Sequence, residues 1–111
     1  MNNDYSIILT TTNSENDAEI LAEKLLETKL AACIQIQKIK SFYTWNEKIE
    51  RSDEYLLLIK TRTELFTHIS EFIKRNHTYE VPEIIQIPIT NGSKEYLNWL
   101  EKSTACSKNC K

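Results

Sequence analysis

Three kinds of spacing between apolar residues follow one another along this chain, and each predicts a different element. Tyr5 to Thr11 is short, apolar and β-branched, as a buried strand requires. Ser14 with Asp17 three residues later has the form of a helix-capping box, and Ala18, Leu21, Ala22, Leu25 and Leu26 recur at the spacing of a helix running to about Leu30. Ala32 to Trp45 reads as a long strand, but Ile34 and Ile36 fall on one parity and Ile39, Tyr43 and Trp45 on the other. A two-residue period changes parity when an extra residue is inserted, so a bulge is expected near Gln37 and Lys38. Trp45 to Glu50 turns the chain, and Tyr55 to Thr61 is a nearly continuous apolar run that predicts a central strand. Thr63 stands where a cap is expected, ahead of a second helix whose stripe is Leu65, Ile69, Phe72 and Ile73 and whose end falls near Asn76. An irregular segment from His77 to Pro82 leads to a strand over Glu83 to Ile89. Pro88 has no amide proton for a ladder, which places that strand at a sheet edge or ends it early. Asn91-Gly92-Ser93 supplies a turn and a cap for a short last helix carrying Tyr96, Leu97, Trp99 and Leu100.

The resulting order, β-α-β-β-α-β and then a short helix, is that of an α+β, ferredoxin-like split βαβ sandwich with an extended hairpin between its second and third strands. A chain of 111 residues supports one core, so a single domain is expected over residues 1–104, followed by a small polar tail over residues 105–111 for which disorder is expected. Helices cover one face of such a sheet. The second face is apolar along Leu56 to Ile59 and along the last strand, so self-association is expected to cover it, with Phe42, Tyr43 and Trp45 of the hairpin packing on a neighbour.

Composition removes several function classes. A formal net charge of −2 and a pI near 5.7 leave no basic footprint for nucleic acid or for an anionic membrane surface. The single glycine, Gly92, excludes GxGxxG turns and P-loops, which need several glycines for close approach to phosphate. The first residues, Met1-Asn2-Asn3-Asp4, are polar and acidic, and no apolar run approaches the roughly 18 residues of a membrane span, so a cytoplasmic protein is expected. Three cysteines, Cys33 in an apolar stretch and Cys106 and Cys110 in the tail, do not form a disulfide framework and are expected as reduced thiols. A ferredoxin-like RNA binder would carry exposed aromatics in a Lys/Arg-Gly-aromatic pattern, absent from Leu56-Leu57-Leu58. An acylphosphatase-like hydrolase would need an arginine and glycines after the first strand, where Thr10-Thr11-Thr12-Asn13 stands.

Several segments resemble the CutA divalent-cation tolerance family in order and spacing. They are Leu30-Ala31-Ala32-Cys33-Ile34, Ser41 to Trp45 with Lys48-Ile49-Glu50, Tyr55 to Thr61, His77 to Ile85, and Tyr96 to Leu100, and together they cover residues 5–104. The resemblance implies a non-enzymatic homotrimer of ferredoxin-like subunits, a link to tolerance of copper and other divalent cations, and kinship in shape to PII-type signalling trimers. It also implies Cu(II) or another divalent cation as the bound species and no organic cofactor. This chain departs from the family pattern at Thr78, where proline is usual, at Glu47, where glycine is usual, and at Gln35, where asparagine is common. Ile8 to Thr12 holds no cysteine at the end of the first strand, so a Cu(I)-selective thiolate is not expected there.

Two residues stand out as metal ligands. His77 follows a helix end and lies near Glu80 and Glu83, so an imidazole and carboxylates could converge on a divalent cation; the other reading has His77 capping the helix or bonding a loop carbonyl. Glu54, by resemblance, matches a carboxylate tied to metal together with that histidine, whereas its charged neighbours Arg51 and Asp53 suggest solvated hairpin charge. Glu50 is the weaker candidate of the two. Cys33 reads as a small buried hydrophobe rather than a nucleophile, because no base or oxyanion hole accompanies it. His68 reads as a helix-surface residue, and Cys106 with Cys110 forms at most a partial soft-metal clip. Two function classes follow: a metal-responsive binding protein using His77 and Glu54 from adjoining subunits, or a PII-like trimeric signalling or interaction module without a dedicated metal site.

Overall fold

The computed structural model describes residues 3–105. Its elements are β1 (Tyr5–Thr12), α1 (Glu15–Glu27), β2 (Cys33–Trp45), β3 (Lys48–Arg62), a 3₁₀ turn (Thr63–Leu65), α2 (Phe66–Arg75), β4 (Ile85–Pro88) and α3 (Lys94–Lys102). One sheet runs in the order β2-β3-β1-β4 with every neighbouring pair antiparallel, the topology expected of a split βαβ fold.

The first face of the sheet carries the core. Ile8, Leu57 and Ile59 alternate onto it and meet Leu21 and Leu25 of α1 and Ile69 and Ile73 of α2. All except Leu21, which is 8% exposed, are fully buried, and each such side chain contributes about 1.5–3 kcal/mol over an exposed one. The Ser14 hydroxyl accepts the Asp17 amide at 3.2 Å, so the predicted cap starts α1. That helix ends at Glu27, a little before the expected end at Leu30. Lys29 turns left-handed at φ 61°, and the amides of Lys29 and Leu30 bond Leu26 O and Leu25 O, each at 3.0 Å, closing the helix without a glycine.

Three local expectations are corrected. No bulge interrupts β2: Cys33 lies opposite Lys60, and the register advances one for one to Trp45 opposite Lys48. The parity of apolar residues changes because the sheltered face changes. Ile34 packs against the helical core, whereas Ile39, Tyr43 and Trp45 alternate onto the face that bears Glu54, beyond the reach of the helices. Thr63 does not cap α2, which starts after the 3₁₀ turn at a position without a side-chain cap. The Thr63 hydroxyl instead donates to Asn3 O and lies 2.6 Å from Ser6 Oγ, pinning the end of β3 to the start of β1. Cys33, expected to be buried, is half-buried, because its strand position turns it with Lys60 onto the second face. As Pro88 requires, β4 is a short edge strand that ends at that residue.

Part of the second face is covered by the chain itself. Lys60 and Arg62 alternate onto it, and α3 lies there with Leu100 fully buried and the Tyr96 ring 5.4 Å from Lys60 Nζ. Arg62 Nε donates to Thr104 Oγ1 at 2.8 Å, and the Ala105 amide donates to Lys29 O at 2.8 Å. Ala105, assigned above to the tail, is therefore tied to the domain. Residues 106–111, with Cys106 and Cys110 and the rest of the tail expectation, lie outside the described residues. Between α3 and the loop after α2, a strip of this face has no cover among the described residues: Leu9, Leu56 and Leu58 are half-buried, and Ile85 and Ile87 are 49% and 45% exposed.

Candidate functional site

Three segments meet beside the hairpin: the end of β1, the middle of β3 and the irregular segment between α2 and β4. Glu54 lies opposite Ile39 on the second face, where the segment from His77 to Glu83 folds across it, and it is only 5% exposed. The expectation of a solvated hairpin charge is thus corrected for Glu54. Glu50 is exposed, opposite Tyr43 nearer the hairpin tip. A buried carboxyl needs a donor, and Tyr79 supplies one: its hydroxyl donates to Glu54 Oε2 at 2.6 Å. Burial, followed by this bond to Glu54, pushes the Tyr79 phenol above the usual tyrosine range.

His77 holds Tyr79 in place. The Tyr79 amide donates to His77 Nδ1 at 3.0 Å, and His77 Nε2 lies 2.6 Å from Thr11 O. A carbonyl oxygen only accepts, so Nε2 carries the proton and Nδ1 offers its lone pair to the amide. The two rings also pack tilted, with centroids 4.7 Å apart. The sequence candidates His77 and Glu54 are thereby joined within one chain, through Tyr79. In this arrangement both imidazole nitrogens have protein partners, and the carbonyl that Nε2 meets belongs to strand β1 rather than to a loop or to the end of α2. His68 is exposed on α2.

Beside this chain of bonds lies a cavity of about 520 Å³. Tyr43, Trp45 and Tyr79 form aromatic parts of its wall, and Glu54, Glu80 and Glu83 form acidic ones. No lysine, arginine or histidine lines it among the described residues. The donor set does not match a closed metal centre: among the described residues no three His, Cys, Asp or Glu side chains converge as a group able to hold a metal ion. Tyr79 and Thr11, which complete the network, were not singled out from the sequence. Nothing in the spacing between Thr11, Glu54 and Tyr79 links residues so far apart in the chain.

A family model described as CutA1 divalent ion tolerance protein matches residues 6–103. The solved periplasmic divalent cation tolerance protein CutA of Archaeoglobus fulgidus is 42% identical with a TM-score of 0.88, over 89% of this chain and 97% of that one. CutA1 from Oryza sativa is 39% identical with a TM-score of 0.91, over 94% of this chain and 96% of that one. The chloroplastic protein CutA of Arabidopsis thaliana is 41% identical over 88% of this chain but 54% of its own length, so this chain spans about half of that relative. These names correct the expectation of a cytoplasmic protein, since similar proteins are named for the periplasm and the chloroplast. The physical reason is that an address is carried by segments read by receptors, while the folded domain is common to all compartments. No helix among the described residues is long and apolar enough to cross a membrane.

Proposed function

The chain belongs to the CutA1 divalent ion tolerance family, and from that premise we propose that it acts in divalent-cation tolerance as a non-enzymatic homotrimer that meets Cu(II) or another divalent cation weakly, at Glu54. The observation that carries this reading is the uncovered strip of the sheet. Leu9, Leu56, Leu58, Ile85 and Ile87 form an apolar surface beside an edge strand of only four residues, β4, and a second copy is the cover whose chemistry matches it. The number of copies rests on the family resemblance. His77 serves in this reading as the residue that positions Tyr79 against Glu54, and a carboxylate without further converging ligands gives modest affinity.

Light scattering of the purified protein is expected to return about three times 13.0 kDa. Replacing Ile85 and Ile87 by Lys is expected to lower that mass. A wild-type monomer that stays soluble at micromolar concentration would refute the assembly. Calorimetric titration with Cu(II) tests the cation, and Glu54→Gln is expected to weaken binding; equal heats from both proteins would remove Glu54 from the reading.

A further inference from the structure

The turn between β4 and α3 carries an Asn-Gly pair, Asn91-Gly92, set for a reaction internal to the two residues. The Gly92 amide donates to Asn91 Oδ1 at 2.9 Å. Cγ is one bond from Oδ1, so the same nitrogen stands beside the side-chain carbonyl carbon. Joining the two closes a succinimide ring, and the reacting groups are already near each other before the fold moves. Glycine has no Cβ to obstruct that approach. Positive φ is not what requires glycine here, since no glycine among the described residues has it. Packing does. A Cβ at this position would stand 3.2 Å from Leu97 Cδ2 and 3.3 Å from Leu97 Cγ, closer than carbon atoms ordinarily pack. The helix contact therefore favours the residue that leaves Asn91 unprotected. The turn stands past the end of β4, where the Ile89 amide donates to Tyr5 O at 2.8 Å, at the end of the sheet opposite the hairpin tip. The reaction draws on no part of the sheet face assigned to neighbouring copies.

We propose that Asn91 is a site of spontaneous deamidation, and that its isoaspartyl product loosens α3 as the protein ages. The Gly92 amide gives its proton to water or hydroxide, and its nitrogen attacks Asn91 Cγ. The N–Cγ bond forms, the Cγ–Nδ2 bond breaks, and Nδ2 leaves as ammonia with a proton taken back from solvent. Water then opens the succinimide at either carbonyl, giving aspartate or isoaspartate, each with a negative charge that asparagine lacks. The aspartate lies just ahead of the N-terminus of α3, where an anion is favoured. The isoaspartate instead routes the main chain through the side chain, lengthening it by one methylene two residues before the cap. That displaces Ser93, whose hydroxyl accepts the Tyr96 amide at 3.2 Å and whose carbonyl accepts the Leu97 amide at 3.0 Å. Those bonds start the helix that buries Leu100 and carries the chain on to Thr104, which Arg62 Nε meets at 2.8 Å. The site shares no residue with the cation reading.

Prolonged incubation of the full chain in its native assembly at mildly alkaline pH tests the proposal, with peptide mapping by mass spectrometry and labelling by a protein isoaspartyl methyltransferase as readouts. Asn91 is expected to convert at least about tenfold faster than Asn13 or Asn98, which precede Ser14 and Trp99. Because the reacting atoms are placed by the fold, its rate should stay within about threefold of that in the urea-unfolded chain. Asn91→Gln, whose longer side chain does not close the same ring, should remove the isoaspartyl label from the turn. The isoaspartyl form, separated by anion exchange, should show amide exchange over residues 93–100 faster by at least about tenfold than the unaged protein. Conversion no faster than at Asn13 and Asn98, or slowed more than about threefold by the native assembly, would overturn the site. Unchanged exchange in the separated isoaspartyl form would overturn the loosening of α3.

Discussion

Replacing His77 by Ala separates a structural imidazole from a ligating one. The substitution removes the Nε2 bond to Thr11 O at 2.6 Å, the Nδ1 acceptor of the Tyr79 amide at 3.0 Å, and the ring contact with Tyr79 at 4.7 Å. Each hydrogen bond is worth about 0.5–1.5 kcal/mol net and the ring contact about 0.5 kcal/mol at this partial exposure. The expected loss is therefore about 2 kcal/mol. It should fall chiefly on the segment between α2 and β4, which has no ladder or helix to hold it once the imidazole is gone. Urea denaturation at fixed protein concentration reads the global part, and amide exchange over residues 77–83 reads the local part. Tyr79→Phe offers the cross-check. It removes the hydroxyl that donates to Glu54, and because both changes loosen one network, the double variant should lose less than the two separate losses added together. A stability loss under about 0.5 kcal/mol, with unchanged exchange in the segment and a Cu(II) affinity lowered more than about tenfold, would refute this reasoning and make His77 a metal ligand.

Two further changes test other parts of the fold. Tyr5 donates to Glu101 Oε1 at 2.5 Å, and that bond, followed by burial, holds its phenol up at about 12 against an ordinary 10.0. A pKa raised in the folded state gives stability that is complete below the unfolded value and lost as pH rises through the folded one, so stability should fall between pH 10 and 12; Tyr5→Phe should flatten that decline in denaturation series across the interval. Asn46 and Glu47 both take positive φ, 53° and 64°, at the hairpin turn, a conformation that asparagine tolerates and glutamate does not favour. Glu47→Gly should stabilise the protein by about 0.5–1 kcal/mol, and a lowered melting temperature would contradict the strain assigned to this turn.

The order of elements, the serine caps at Ser14 and Ser93, the helical stripes and the edge position set by Pro88 could all be read from the chain. Each rests on forces that act within a few residues: a hydroxyl reaching an amide three positions on, apolar side chains recurring along one helix face, a missing amide proton. The family could be read too, because its motifs are spread along the chain in fixed order. The parity change in β2 was visible but was assigned to the wrong cause. Spacing records which side of a strand is apolar and does not record which side is covered, and here the cover changes from the helices to the segment after α2. Cys33 and Thr63 were misplaced for a related reason, since their surroundings are set by strands and chain ends far away in sequence.

At the candidate site, the sequence by itself singled out His77 and Glu54 as residues of interest, and only the tertiary structure decided what they do. Glu54 is flanked by charged residues and would be solvated in an isolated hairpin; it is buried because a segment more than twenty residues later folds across it. His77 is committed to Thr11 O and the Tyr79 amide because the ends of β1 and α2 are brought side by side by the pairing of β1 with β3 and the packing of α2 on the sheet. A lone pair is available or spent according to what lies within about 3 Å of it, and that distance exists only once the chain has folded.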